Sequence, residues 1–141
     1  MTHELTTCLW YDGKAKEAAE YYCSIFKDSK ITSENPMVVT FEINGSKFMG
    51  LNGGPMFSFN EAVSFVVTCD TQEEIDMYWN KLIANGGNES MCGWLKDKYG
   101  MSWQIVPGSL GKLMSNPAKG ERVMQALLKM KKLDLKVLEE A

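Results

Sequence analysis

The chain repeats one order of predicted elements, and this internal duplication strongly limits the folds that it can adopt. Each half begins with an apolar strand, passes an aspartate into an amphipathic helix, and continues into extended segments joined by a glycine turn. Asp12 aligns with Asp70 at the two helix starts, and Gly45 aligns with Gly100 at the two hairpins. A repeat of this length predicts two similar supersecondary units that share a core, because neither unit can bury its apolar face alone.

Length, charge and hydropathy narrow the class of protein. A chain of 141 residues predicts a single domain, 1–141, whose hydrophobic core is large enough to be stable without disulfides or structural metals. The net charge of -3 argues against nucleic acid as a partner, since phosphate binding needs a concentrated basic face. No apolar run approaches the roughly 18 residues that span a bilayer, so we expect no membrane association. The first residues lack the layout of a signal peptide, and we expect a cytoplasmic protein.

The cysteines agree with a reducing compartment. No two of them have the spacing of a zinc or redox motif, and small buried apolar side chains are the expected role. The four are Cys8, Cys23, Cys69 and Cys92.

The first module covers about 5–55. Its predicted elements are a strand at 6–11, a helix at 14–26, a strand at 38–43 and a strand at about 47–52. The segment at 28–36 is expected to be irregular. Asn44 and Gly45 predict a type I′ hairpin turn, because both central residues of that turn need positive φ.

The second module covers about 61–107, with a helical extension at 109–141. Its first strand, 62–69, is apolar on both faces and is expected at the centre of its sheet. Asp70 and Glu73 predict a capping box for the helix that follows, and Cys92 is expected to begin a strand. In the extension, Asn116 and Pro117 predict another helix start, whose apolar stripe of Val123, Leu127 and Met130 must pack on its own domain or on a second copy.

These patterns predict an α+β fold. Two tandem βαβββ modules would form a cupped mixed sheet with a central cleft, followed by a C-terminal helix. Sheets do not leave an apolar face in water, so the cleft is the expected ligand site.

The motifs of this chain resemble those of the vicinal oxygen chelate superfamily, which includes glyoxalases, bleomycin resistance proteins and dioxygenases. The narrower resemblance is to its PhnB-like group, whose domain is often labelled 3-demethylubiquinone-9 3-methyltransferase. The matching segments are 8–13, 15–26, 48–55, 92–97 and 102–107, in order across about 5–110.

The resemblance indicates which positions of this chain would hold a metal ion if it had the metal site of the superfamily. Enzymes of the superfamily place a metal ligand, typically His or Glu, on the first and last strand of each module. The matching positions here are Thr6 (or Thr7), Met49, Ser64 and Gln104. None of them is ionic, whereas a divalent cation needs carboxylate or imidazole ligands to offset its lost hydration. We therefore expect no metal site and no cofactor, with a divalent metal kept as the alternative.

A neutral, aromatic-lined pocket is the remaining expectation for the cleft. It would bind a small organic molecule, with no identified catalytic residue, and the chain would form a homodimer, as similar proteins commonly do. The expected ligand-binding residues are Thr6, Trp10, Met49, Asn52, Ser64, Trp94, Trp103 and Gln104.

Two other functions stay open at this point. One is an enzyme of the superfamily, a lyase, isomerase or dioxygenase that works with or without a metal. The other is a self-associating scaffold with a vestigial cleft. Methyl transfer is disfavoured, because Gly53 and Gly54 precede Pro55 and a loop rather than the helix that a nucleotide-type methyl donor needs.

Overall fold

A computed structural model describes residues 3–141. The chain divides into two compact units, one that ends at Ser58 and one that spans Phe59–Ala141. The boundary lies between the end of the predicted first module, at about 55, and the start of the second, at about 61. Within residues 3–141, no helix combines the length and the apolar character that crossing a bilayer requires.

The first unit is one four-stranded sheet with one helix. Its strands have the order β1-β4-β3-β2, in which β1 and β4 are parallel and the other neighbours are antiparallel. The elements are β1 (Thr7–Tyr11), α1 (Ala15–Ile25), β2 (Ser29–Glu34), β3 (Val38–Ile43) and β4 (Ser46–Asn52).

The second unit repeats this topology and adds a helical segment. The strand order β5-β8-β7-β6, with β5 and β8 parallel, matches the first sheet position by position, which confirms the predicted tandem βαβββ modules. The elements are β5 (Ser64–Cys69), α2 (Gln72–Ile83), β6 (Asn88–Glu89), β7 (Trp94–Lys96), β8 (Ser102–Pro107), α3 (Leu110–Met114), α4 (Gly120–Leu127) and α5 (Leu135–Glu140).

The hairpin turns agree with the duplication. Asn44 and Gly45 have φ values of 48° and 85°, as the predicted type I′ turn requires. Gly100 has a φ of 86° at the matching turn of the second unit. Because the two turns match, Phe48 on β4 and Trp103 on β8 occupy equivalent positions, each opposite a buried residue of the preceding strand.

In the first unit, α1 covers one face of the sheet. Tyr22 on the helix stacks on Phe41 of β3 with ring centroids 6.3 Å apart, and Phe41 stacks on Phe48 of β4 at 5.3 Å. The helix packs closely on the sheet at Gly50, where an added Cβ would lie 3.1 Å from the Cβ of Ala15. This face is therefore the core of the unit.

In the second unit, α2 contacts β7 and β8, and the C-terminal segment forms a further cluster. Val123, Leu127, Leu133 and Leu138 are buried together, and Val106 of β8 packs against them. Gln72 at the start of α2 donates to the carbonyl of Leu133 and accepts from the amide of Leu135. The C-terminal stripe is thus used within its own unit, one of the two outcomes that the sequence allowed.

Several local predictions were wrong. The segment predicted to be irregular contains β2, whose exposed polar residues gave no apolar alternation. Cys92 has a φ of 62° and lies in a turn ahead of β7, and the helix expected at Pro117 begins at Gly120. Cys8 is exposed, whereas Cys69 is buried as expected.

The predicted central position of β5 is also wrong. β5 ends the order of its sheet, and Val66 on it is 56% exposed. Apolar residues on both faces of a strand reflect what covers those faces, and they do not fix the position of the strand within its sheet.

The capping box of α2 lies one residue later than predicted. The Thr71 hydroxyl accepts from the amide of Glu74 at 3.2 Å, and the Glu74 carboxylate accepts from the amide of Thr71 at 3.2 Å. The Glu74 carboxylate also accepts from the amide of Asp70, so that aspartate precedes the cap rather than forming it.

Candidate functional site

Each sheet has a second face, which lies opposite α1 or α2 and is called here the opposite face. Directly paired residues share a face, so strand register identifies its members. In the first unit they include Cys8, Trp10, Thr40 and Met49. In the second unit they include Ser64, Val66, Trp94, Lys96, Ser102 and Gln104.

Two of the predicted site residues meet on the opposite face of the second unit. The Gln104 side-chain amide on β8 donates to the Ser64 hydroxyl on β5 at 3.0 Å. Their pairing is diagonal, since Ser64 is directly opposite Ser102 and Gln104 is directly opposite Val66. The sequence placed both residues at ligand positions of the superfamily, and the structure brings them into contact.

Trp94 lies beside this pair. Trp94 is on β7, directly opposite Gln104 of β8, and it is partly buried. A pocket of about 260 Å³ opens at this side of the sheet, lined by Glu61, Asn88, Glu89, Ser90, Trp94, Leu95, Lys96 and Ser102. It is called here the Trp94 pocket.

Charged groups and one buried hydroxyl define the polarity of the Trp94 pocket. The Lys96 ammonium is 2.5 Å from the Glu61 carboxylate, and this contact holds the pKa of Glu61 below its usual range. The Glu89 carboxylate accepts from the Trp79 indole at 3.1 Å. Ser102 is 1% exposed, and its hydroxyl has no hydrogen-bond partner among residues 3–141. A buried hydroxyl without a partner is costly, so its position in a pocket wall points to a polar group from outside the chain.

The first unit has a pocket at the matching place. Its volume is about 340 Å³, and its lining includes the predicted site residues Thr6 and Met49. Thr40 is directly opposite Met49, and its hydroxyl is 2.7 Å from that of Thr32, which also lines the pocket. Lys47 at the pocket edge forms an ion pair with Glu4.

Trp10 and Asn52 take part in the structure of the first unit. The Trp10 indole donates to the carbonyl of Gly54 at 2.8 Å, and its ring meets the edge of Phe57 with centroids 4.8 Å apart. The Asn52 side chain accepts from the amide of Ala15 at 2.9 Å and donates to the carbonyl of Pro36 at 3.1 Å. Asn52 therefore supports the start of α1, which lies on the core side of the sheet.

Trp103 faces the core of the second unit. It is 3% exposed, its indole donates to the Asp97 carboxylate at 2.9 Å, and its ring lies 5.2 Å from that of Phe65. The register places Trp103 opposite Leu95, on the same side as α2, whereas Trp94 points to the other side.

Of the eight residues that line the Trp94 pocket, only Trp94 was among the predicted site residues. Lys96 and Ser102 lie in segments that carry the family resemblance but were given no site role, and they reach the pocket through strand pairing. Glu61 lies in the segment before β5. The signal that could have identified Ser102 is the alternation along β8, because Ser102 and Gln104 are two residues apart and share a face.

The donor set does not fit a divalent metal of the superfamily type. Thr6 and Met49 share one pocket and Ser64 and Gln104 share one hydrogen bond, but these four positions offer hydroxyl, thioether and amide groups. The Gln104 side chain donates its amide N–H to the Ser64 hydroxyl, so its amide nitrogen, which cannot ligate a metal, faces Ser64 rather than its amide oxygen. Among residues 3–141, no three His, Cys, Asp or Glu side chains gather into a metal-binding group.

Comparison with known proteins places this fold in a family. The model of the family described as 3-demethylubiquinone-9 3-methyltransferase matches residues 3–106. A PhnB protein from Bacillus cereus is 36% identical, with a TM-score of 0.68 over 75% of this chain and 100% of that one. No curated protein matches the chain.

More distant structures share the fold alone. Protein PA1353 from Pseudomonas aeruginosa is 16% identical, with a TM-score of 0.63 over 75% of this chain and 98% of the other. A glyoxalase-related enzyme from Fulvimarina pelagi is 14% identical, with a TM-score of 0.56 over 78% of this chain and 91% of the other. With two tandem modules, a family match over most of its length and a PhnB relative at this identity, the chain belongs to the PhnB-like 3-demethylubiquinone-9 3-methyltransferase family.

Proposed function

We propose that this protein binds a small organic molecule on the opposite face of its second unit, in the Trp94 pocket and beside the Ser64–Gln104 pair. The observation that carries the proposal is the position of Ser64, Gln104 and Trp94 on one face, next to a pocket with the unpartnered Ser102 hydroxyl in its wall. Family membership supports a small-molecule-binding role in general.

The chemistry of this face suits binding more than turnover. Trp94 offers a flat apolar surface, and the Gln104 amide and Ser64 hydroxyl offer neutral hydrogen bonds. Both carboxylates that line the pocket are engaged, Glu61 by Lys96 and Glu89 by Trp79. Neither is poised as a general base, so the described lining favours a ligand-binding role.

Methyl transfer is not part of the proposal. Gly53 and Gly54 follow β4 and lead into a turn at 55–56, and the next element is the strand β5. A nucleotide-type methyl donor normally uses a glycine-rich turn that opens directly into a helix.

Native mass spectrometry of gently purified protein tests the proposal. Wild-type protein should carry an extra mass that is lost on denaturation, and Trp94→Val and Gln104→Leu should each lower its occupancy. Val63→Ala is a matched control, because Val63 is 60% exposed in the segment ahead of β5 and does not line the pocket.

Benzyl alcohol, a neutral aromatic alcohol, is the added probe for protein stripped of its natural ligand. Equal binding of benzyl alcohol by wild type and Trp94→Val would contradict the proposal, as would a co-purified mass unaffected by both pocket variants.

We also propose a cytoplasmic homodimer. Exposed apolar side chains such as Phe57, Val63 and Val66 would be buried by contact with a second copy of the chain. Val123 and Leu127 of the C-terminal stripe are already buried within the second unit. Sedimentation velocity at tens of micromolar should show a dimer. A single monomer peak at that concentration would contradict the expected pairing.

A further inference from the structure

We propose that the Trp94 pocket selects an organic cation, a protonated amine carried on a flat apolar group. This inference rests on the proposed function, since it names the chemical class of the ligand for the same site. It follows from three features of the pocket: its balance of charge, the face of Trp94 and the Ser102 hydroxyl.

The charged groups that line the pocket favour a cation. Glu61 and Glu89 contribute two carboxylates, and Lys96 contributes one ammonium. The excess of one negative charge attracts a cation and repels an anion, most strongly at low ionic strength. The Lys96 ammonium is already held by Glu61, so it is a weak counter-ion for an incoming anion.

Trp94 adds a second attraction for a cation. The face of an indole ring carries partial negative charge, and Trp is the best of the aromatic side chains for cation–π contacts. Among the residues that line the pocket, Trp94 is the one aromatic side chain. A flat group attached to the amine would cover the rest of the ring and gain apolar contact.

Ser102 supplies a hydrogen-bond acceptor. Ser102 lines the pocket, and its buried hydroxyl has no partner among residues 3–141. An ammonium N–H can donate to this oxygen, and the hydroxyl can equally donate to an acceptor, so Ser102 favours a polar ligand while the excess of carboxylate charge favours the cation. A protonated amine therefore satisfies both the carboxylate excess and the hydroxyl.

Three probes of one shape and different charge test the inference. Benzylamine is a cation at neutral pH, benzyl alcohol is neutral and benzoate is an anion. Calorimetric titration of wild-type protein should show affinity that decreases from benzylamine to benzyl alcohol to benzoate. The dissociation constant of benzylamine should be lower than that of benzoate by about tenfold or more, and the gap should narrow as salt is added.

Neutralising one or the other member of the Glu61–Lys96 ion pair should move the charge preference of the pocket in opposite directions. Glu61→Gln removes a carboxylate and releases Lys96, so benzylamine should bind more weakly and benzoate more tightly. Lys96→Met removes the ammonium, so benzylamine should bind more tightly. Both side chains are substantially exposed, at 65% and 38%, so both variants should fold. Ser102→Ala should weaken the binding of benzylamine. It should leave the melting temperature unchanged or raise it, because it removes an unsatisfied buried hydroxyl.

Glu4→Gln provides the matched control. Glu4 also precedes the first strand of its unit by three residues and also pairs with a lysine, Lys47, yet it lies in the first unit. It should leave all three probe affinities unchanged.

The possible results separate this inference from the proposed function. Trp94-dependent binding in which benzoate equals or exceeds benzylamine would overturn the cation preference alone. Benzylamine binding unaffected by Glu61→Gln and Lys96→Met would overturn it as well. Failure of all three probes to bind in a Trp94-dependent way would overturn both proposals.

Discussion

At the scale of single residues, the structure separates the polar side chains of the strand ends into two roles. Ser64 and Gln104 meet each other on the opposite face, while Asn52 uses its amide to join a strand end to a helix start. A neutral polar side chain on a strand can thus lie on the opposite face or stabilise the core side of the sheet, and strand register decides which.

Asn52→Ala should destabilise the protein. The substitution removes an acceptor for the Ala15 amide and a donor to Pro36, and loss of a side chain that caps a helix costs about 1 kcal/mol. Urea denaturation measures the change in the free energy of unfolding. Asn80→Ala on the exposed side of α2 is the control and should change it by less than about 0.5 kcal/mol. Equal effects of the two variants would refute the role given to Asn52.

The residue scale also shows how far the sequence could predict the site. Ser64 and Gln104 were predicted through the repeat and the resemblance, and they are in contact. Asn52 could not be predicted as a cap, because its partner lies 37 residues away in the chain. The ligand-binding roles of the eight predicted residues stay predictions, with Trp103 in a core position and Trp94 on the opposite face.

At the scale of secondary-structure elements, strong local signals gave the correct elements and shifted boundaries. Asn44-Gly45 produced the predicted hairpin, because few residues other than Asn and Gly tolerate two successive positive φ angles. β2 was missed because Ile31 is its single apolar residue, so the segment shows no alternation of apolar and polar side chains. The cap of α2 was displaced by one residue, since Asp70 and Thr71 are both good capping residues and only tertiary context selects between them.

Thr71→Ala should therefore destabilise the protein, and Asp70→Ala should not. The Thr71 hydroxyl satisfies the amide of Glu74, so its loss should lower the free energy of unfolding by about 1 kcal/mol. The Asp70→Ala change should stay within about 0.5 kcal/mol. Thermal or urea denaturation of both variants decides between the two capping schemes, and a larger loss for Asp70→Ala would favour the scheme predicted from sequence.

At the scale of the whole molecule, the C-terminal segment belongs to the second unit although the family match stops at residue 106. The amides of Cys92 and Gly93 donate to the carbonyls of Met130 and Lys131 at 2.7 and 2.8 Å. Lys132 pairs with Asp76 of α2 at 2.8 Å, which lowers the pKa of that carboxyl. These contacts fix the segment on the turn ahead of β7 and on α2, where the sequence predicted only that an apolar stripe must be buried.

Leu133→Ala tests this attachment. Leu133 is fully buried, and truncation of a buried leucine costs about 2–5 kcal/mol through lost contacts and a cavity. The control is Val137→Ala, since Val137 is 46% exposed on α5 and should cost far less. Urea denaturation compares the two. A near-neutral Leu133→Ala would show that the segment is not part of the folded second unit.

Each sheet has a core face and an opposite face, and the proposed ligand lies on the opposite face of the second unit. The indole N–H signals of the four tryptophans in a two-dimensional NMR spectrum report on both faces at once. Titration with benzylamine, benzyl alcohol and benzoate should shift the Trp94 signal with whichever probe binds, and leave that of the buried Trp103, whose indole donates to Asp97 on the core side, in place. A shift at Trp103 without a shift at Trp94 would contradict the proposed site.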